Sequence, residues 1–231
     1  MTFRWISLAA AGLGVSLAVG QEMRLQTDKD KISYALGMDL GSQLRAQSVD
    51  VDPEIFAQAL KASLSGSKGL MTAEEARAII GKLQSELRAR QAEKTAQVSE
   101  KNKKEGEAFL AANKSKEGVV TLPSGLQYKI LQEGNGPKPA LDDLVVCKYR
   151  GTFVDGTAFD SSFKRSEPAT FAVKGVVKGW TEALQLMPVG SKWQLFVPPE
   201  LAYGERGAGS IIGPNATLIF EIELIAIQPK Q

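Results

Sequence analysis

The sequence predicts an α+β protein: an all-α N-terminal module with a long connecting helix, then an antiparallel β-sheet of about five strands wrapped around one short helix. Three observations predict it. From Thr27 to about Ala112 apolar residues recur at helical spacing, behind capping signals and almost without a strand-like run. After Gly118 the pattern becomes short β-rich runs punctuated by Gly, Pro and Asp. Between two of these runs, "GWTEALQLMPVG" has the length and spacing of a single short helix.

The first helix opens at Thr27, with Asp30 three residues on as in a capping box, and carries Ile32, Leu36, Leu40 and Leu44 at helical spacing. The second opens at Asp52 with Pro53 in its first turn, presents Ile55, Phe56, Ala59, Leu60 and Leu64, and ends at Gly66. The third opens at Thr72 with Glu75 completing a second capping box, and its stripe runs Ala76, Ile80, Leu83, Leu87. Beyond Arg88 the stripe stops. The following run to Gly118 is rich in helix formers with scarcely an apolar face, which predicts a solvated extension, a stalk of about 60 Å for about forty residues.

The strands are expected in "GLQYKIL", "LVVCKYRGTF", "ATFAV", "KWQLFVP" and "TLIFEIELIAI", with Asp155-Gly156 as a turn. Period-2 alternation places Val145, Cys147 and Tyr149 on one face, so Cys147 reads as a core residue rather than a reactive thiol.

Of 231 residues, 43% are hydrophobic and 23% charged, with a net charge of +2, too small and too evenly spread for a nucleic-acid partner. There is no histidine, which removes the commonest metal ligand and general base, and neither a metal nor a cofactor is expected. The segment "MTFRWISLAAAGLGVSLAVG" has one arginine, an apolar run and small residues at its end, the layout of a secretory signal peptide cut before Gln21. The run is too short for a membrane span, so no transmembrane anchor is expected in the mature chain. Localisation is therefore expected outside the cytoplasm: periplasmic first, with outer-membrane association or secretion as alternatives. With Cys147 alone, no internal disulfide can form, and stability must come from packing or association. The first two helices and the start of the third total about sixty residues, a size at which one core is marginal. Two copies sharing a core through these helices, a homodimer, is the expectation; packing against the chain's own C-terminal half is the alternative. The division expected is 1–20 signal peptide, 21–71 dimerisation domain, 72–118 long stalk helix and 119–231 the β-rich domain.

One loop departs from the polar norm. "LAYGERGAGSIIGPNATLIF" displays Tyr203, Ile211 and Ile212 around a glycine-rich run. Together with "YRGTFVDGTAFDSS", "VVKGWTEALQLMPVGSKWQLFVPPELAYGERG" and "GPNATLIFEIEL", in this order across about 110 residues, it resembles the FKBP-type peptidyl-prolyl cis-trans isomerases. The helical half, with "ISYALGMDLG" and "KKEGEAFLAANKSKEGVVTLPSGLQYKIL", is similar to the Mip and FkpA-like bacterial branch, whose members are dimers with intertwined N-terminal helices. The resemblance implies a proline pocket floored by Trp180 and walled by Tyr149, Phe159, Phe171, Val176, Val177, Ile212 and Phe220. Asp160 and Tyr203 would form its polar edge, the N–H of Val177 would hold a substrate carbonyl, and Ile211 with Ile212 would close over the ring. Ala208 stands where several small eukaryotic members carry histidine and Gly175 where some carry an acid, departures that bear on loop-dependent preference.

The implied activity needs no nucleophile, since the X-Pro bond only twists, across a barrier of about 20 kcal/mol. The implied partners are unfolded or X-Pro-containing polypeptides and macrolides such as rapamycin. A holdase chaperone or peptide-binding module with incidental isomerase activity is the competing class, favoured by the apolar N-terminal helices.

Overall fold

The computed structural model describes residues 24–163 and 167–228, so the leader assigned to residues 1–20 lies outside the described residues. The chain divides into two compact units, Met1–Ala76 and Arg77–Gln231.

In the first unit, helix α1 spans Asp28–Ala46 and α2 spans Pro53–Ser65. The capping signals act as read. Asp30 N–H donates to Thr27 Oγ1 at 3.1 Å, and Thr27 N–H donates back to the Asp30 carboxylate at 2.9 Å. The Thr27 main-chain N–H first, then the Thr27 side chain, hold the Asp30 carboxyl below its usual range. Asp52 accepts from the N–H groups of Glu54 and Ile55 at 2.9 and 3.0 Å, and Gly66 ends α2 in the left-handed conformation, at φ 68°. Neither helix contains a buried residue, and Leu36, Ile55 and Leu64 are 66%, 63% and 81% exposed.

Helix α3 runs Ala73–Asn113 behind the Thr72–Glu75 capping box. Its later turns correct the expectation of a solvated extension, because they pack on the sheet of the second unit. Ser99, Asn102, Gly106, Phe109, Leu110 and Asn113 all contact that sheet or the loop before its last strand. Asn113 Nδ2 donates to Gln127 Oε1 at 3.0 Å, Gln127 Nε2 donates to the Leu110 carbonyl at 2.9 Å, and the Phe109 and Phe196 rings lie 5.8 Å apart. At Gly106 the approach is so close that an added Cβ would sit 2.2 Å from Thr217 Oγ1.

The sheet has seven antiparallel strands: β1 Val119–Thr121, β2 Gln127–Gln132, β3 Leu144–Phe153, β4 Ala158–Ser161, β5 Ala169–Ala172, β6 Lys192–Val197 and β7 Leu218–Gln228. The five expected runs are β2, β3, β5, β6 and β7; the very short β1 and β4 are added. The order is β1-β2-β6-β7-β3-β4, with β5 paired to the first half of β3 and β4 to its second half. Val145, Cys147 and Tyr149 on β3 and Leu218, Phe220, Ile222 and Leu224 on β7 point into one core, as the period of two dictates. Helix α4, Lys178–Leu184, closes that core with Trp180, Ala183 and Leu184.

Candidate functional site

A cavity of about 430 Å³ opens where β3, β4, β5, α4 and the loop after β6 meet. Tyr149, Phe159, Asp160, Phe171, Gly175, Val176, Val177, Trp180, Tyr203 and Phe220 line it. Trp180 is the deepest wide surface, 4% exposed, and is placed by α4, whose N-cap is Val177. Three rings meet it edge-on: Phe220 with centroids 5.2 Å apart at 88°, Tyr149 at 5.4 Å and Phe171 at 5.6 Å. Edge-to-face contacts fix the rings relative to one another and leave faces free for a guest. The indole Nε1–H of Trp180 is buried without a hydrogen-bond partner among the described residues.

Phe159 is placed by a fault in the strand ladder. Gly151 on β3 pairs with Asp160, the next residue Thr152 pairs with Ala158, and Phe159 is skipped. Such a bulge re-aims a side chain. Here it lays the Phe159 ring over the bare Cα of Gly151 and against Phe220, at 90° and 5.6 Å. A Cβ at Gly151 would lie 2.5 Å from Phe159 Cζ and 3.0 Å from Phe220 Cε1.

The polar edge is narrow. Tyr149 Oη donates to Asp160 Oδ2 at 2.5 Å, and the other carboxylate oxygen accepts from Ser161 N–H at 2.8 Å. Ser162 secures the same strand pair from behind, its Oγ accepting from Tyr149 N–H at 2.7 Å. Among the described residues Asp160 is the one charged side chain on the cavity wall, and Tyr203 stands half-exposed on its rim. Cys147 on β3 is fully buried in the core, and burial pushes its thiol up from 9.0 to about 12.

The structure thus brings together Tyr149, Phe159, Asp160, Phe171, Val176, Val177, Trp180, Tyr203 and Phe220. It does not bring Ile211 or Ile212 to this wall. Ile211 is 64% exposed and lines a neighbouring groove with Val98, Asn102 and Phe153, while Ile212 bridges to Ala208 and packs partly against the core. Sequence reading passed over Gly151 and Ser162. Gly151 carried a signal, a lone glycine inside a β-rich run. Chemically, the cavity can bind a small apolar ring against an indole face and offer a carboxylate–phenol pair at its edge.

Residues 136–225 match the family model of the FKBP-type peptidyl-prolyl cis-trans isomerase, and residues 29–130 match the domain amino terminal to FKBP-type peptidyl-prolyl isomerase. The chain is 47% identical over 230 residues to the outer membrane protein MIP of Legionella longbeachae, covering 99% of each. It is 44% identical to the peptidyl-prolyl cis-trans isomerase Mip of Coxiella burnetii, covering 89% of this chain and 90% of that one. The crystal structure of FkpA from Escherichia coli is similar with a TM-score of 0.67 at 31% identity, covering 89% of this chain and 99% of that chain.

Proposed function

Because the chain belongs to the FKBP-type peptidyl-prolyl cis-trans isomerases, in the branch of Mip and FkpA, we propose that the 430 Å³ aromatic cavity is where its isomerase reaction occurs. The proline ring of an X-Pro segment lies on the face of Trp180, between Phe159, Phe171 and Phe220. The Val177 N–H donates to the carbonyl after the proline, and Asp160 with Tyr203 borders the amide that turns. The observation carrying this reading is the cage of edge-on rings around one buried indole, apolar except at the Tyr149–Asp160 edge.

Catalysis follows from what the cage does to an amide. The planar amide is held by resonance and is the more charge-separated state; the twisted one has lost that resonance and its nitrogen lone pair is freer. Stripping water from the amide therefore raises the planar state relative to the twisted one. A differential of about 5 kcal/mol between the two states gives between three and four powers of ten in rate. No bond forms or breaks, so neither nucleophile nor base is needed.

The biological reading is an exported, homodimeric folding factor that accelerates steps limited by X-Pro bonds, which take tens to hundreds of seconds unaided. Export is supported by the leader pattern in residues 1–20, and dimerisation by the wholly unburied apolar faces of α1 and α2. The test is NMR exchange on short X-Pro peptides with residues 21–231, with and without rapamycin. Acceleration abolished by the macrolide is expected; a folded protein giving no acceleration would sink the reading.

A further inference from the structure

We propose that Ser99 and Asn102 of α3 are positioning residues for the isomerase reaction: they hold the neck of the loop that follows Tyr203, and through it the Tyr203 phenol on the cavity rim. The inference rests on the pocket reading above and names the element that sets one side of that pocket.

The loop runs from Tyr203 to Asn215 and is closed on itself. Asn215 N–H donates to the Gly204 carbonyl at 2.8 Å, and Ala208 and Ile212 exchange two main-chain bonds at 2.8 and 3.1 Å. A loop tied at its neck moves as a unit, carrying the residue at its root. Much of it is open: Glu205, Arg206 and Gly209 are exposed, as are Ser210 and Ile211 beside the groove that Val98 and Asn102 line.

What ties the neck to the rest of the fold is α3. Asn102 Nδ2 donates to the Pro214 carbonyl at 2.8 Å, and Asn215 Nδ2 donates to Ser99 Oγ at 2.8 Å. Proline has no N–H, so its carbonyl is the only main-chain handle Pro214 offers, and Asn102 takes it. Ser99 and Asn102 are three apart and share one face of the helix. Gly213, just before the two bonded residues, comes close to the helix: a Cβ there would be 3.1 Å from Val98 Cγ1 and 3.2 Å from Asn102 Nδ2. Main-chain carbonyl, side-chain amide and close glycine contact act within three consecutive residues, and two of these contacts are directional.

The contacts predict a specific kinetic pattern. With the neck released, Tyr203 samples positions off the rim, so substrate is held less well while the Trp180 cage that favours the twisted amide is untouched.

The experiment uses the full mature chain and compares Asn102→Ala with Asn113→Ala. Asn113 also fastens α3 to the sheet, through Gln127, but away from the loop. Asn102→Ala is expected to raise KM for a short X-Pro peptide about three- to tenfold, the share of one hydrogen bond, with kcat within about twofold. It should also speed hydrogen exchange at the loop amides. Asn113→Ala is expected to lower the melting temperature and leave KM alone. Asn102→Asp, which keeps the shape and loses the donor, repeats the KM rise if Asn102→Ala misfolds. Unchanged KM in the Asn102 variants, or an equal rise in Asn113→Ala, overturns the proposal. An inactive wild-type chain overturns the pocket reading itself, and this one with it.

Discussion

At the scale of single residues, the site rests on a few contacts that can be broken one at a time. Asp160 is exposed and holds the Tyr149 phenol and the Ser161 main chain, so its removal leaves no buried hole. Asp160→Ala is therefore expected to lower kcat/KM about tenfold while moving the melting temperature by only a degree or two, from peptide kinetics and calorimetry on the same sample. An equal loss in both would make the aspartate structural. Cys147 makes the opposite case. Its thiol is fully buried and pushed up to about 12, so an alkylating reagent at pH 8 should leave the native chain unlabelled and label it only on unfolding. The linkage has a definite sign: the stability due to the neutral thiol is complete below pH 9 and declines as pH rises toward about 12, because the unfolded chain ionises first. Chemical denaturation at pH 8 and pH 10.5 measures it. The aromatic wall was legible in the sequence through motif order, since each ring alone reads as core. Gly151 was not, because a glycine's use depends on what lies opposite it.

At the scale of elements, two glycines decide where whole segments sit: Gly106 sets α3 against Thr217, and Gly151 sets β4 against β3. Gly151→Ala drives a Cβ into the Phe159 ring and the facing Phe220, and β4 must shift to make room. The expected outcome is a loss in kcat/KM of about tenfold or more with a destabilisation of about 1–3 kcal/mol, read from peptide kinetics and urea melts. Helix starts were legible because caps are local chemistry: three or four residues contain both donor and acceptor. Thr72→Ala should accordingly cost about 1 kcal/mol in the same melts. The docked face of α3 was not legible. Ser99, Asn102, Gly106, Phe109 and Asn113 recur at helical spacing, yet three are polar and one has no side chain, so a search for apolar stripes passes over them. Their partners are a main-chain carbonyl, side-chain amides, a threonine and a phenylalanine ring elsewhere in the sequence, and nothing local announces those. The short strands β1 and β4 were missed for a related reason: three or four residues carry too little alternation to stand out.

At the scale of the whole molecule, the first unit poses the largest physical question, because its described residues bury nothing while displaying Ile32, Leu36, Ile55, Leu60 and Leu64. The proposed second copy over these faces would make stability depend on concentration. Analytical ultracentrifugation should give a dimer, and the melting temperature should rise with protein concentration. Leu36→Asp combined with Ile55→Asp should produce monomers whose kcat/KM on short peptides is within about twofold of wild type. Removing residues 21–68 should have the same kinetic result; if aggregation suppression is lost along with the dimer, the holdase reading gains its own evidence. The docking of α3 bears on how such a cut is placed. A boundary at Gly118, where the strand pattern begins, would strip the sheet of Asn113, Phe109 and Gly106 and leave Gln127, Phe196 and Thr217 facing solvent. The isomerase half is thus not a portable cassette with its border at the first strand; the part that could be transplanted intact begins inside the helix, before Val98, and any fusion or recombination event that respects only the strands would inherit an incomplete module.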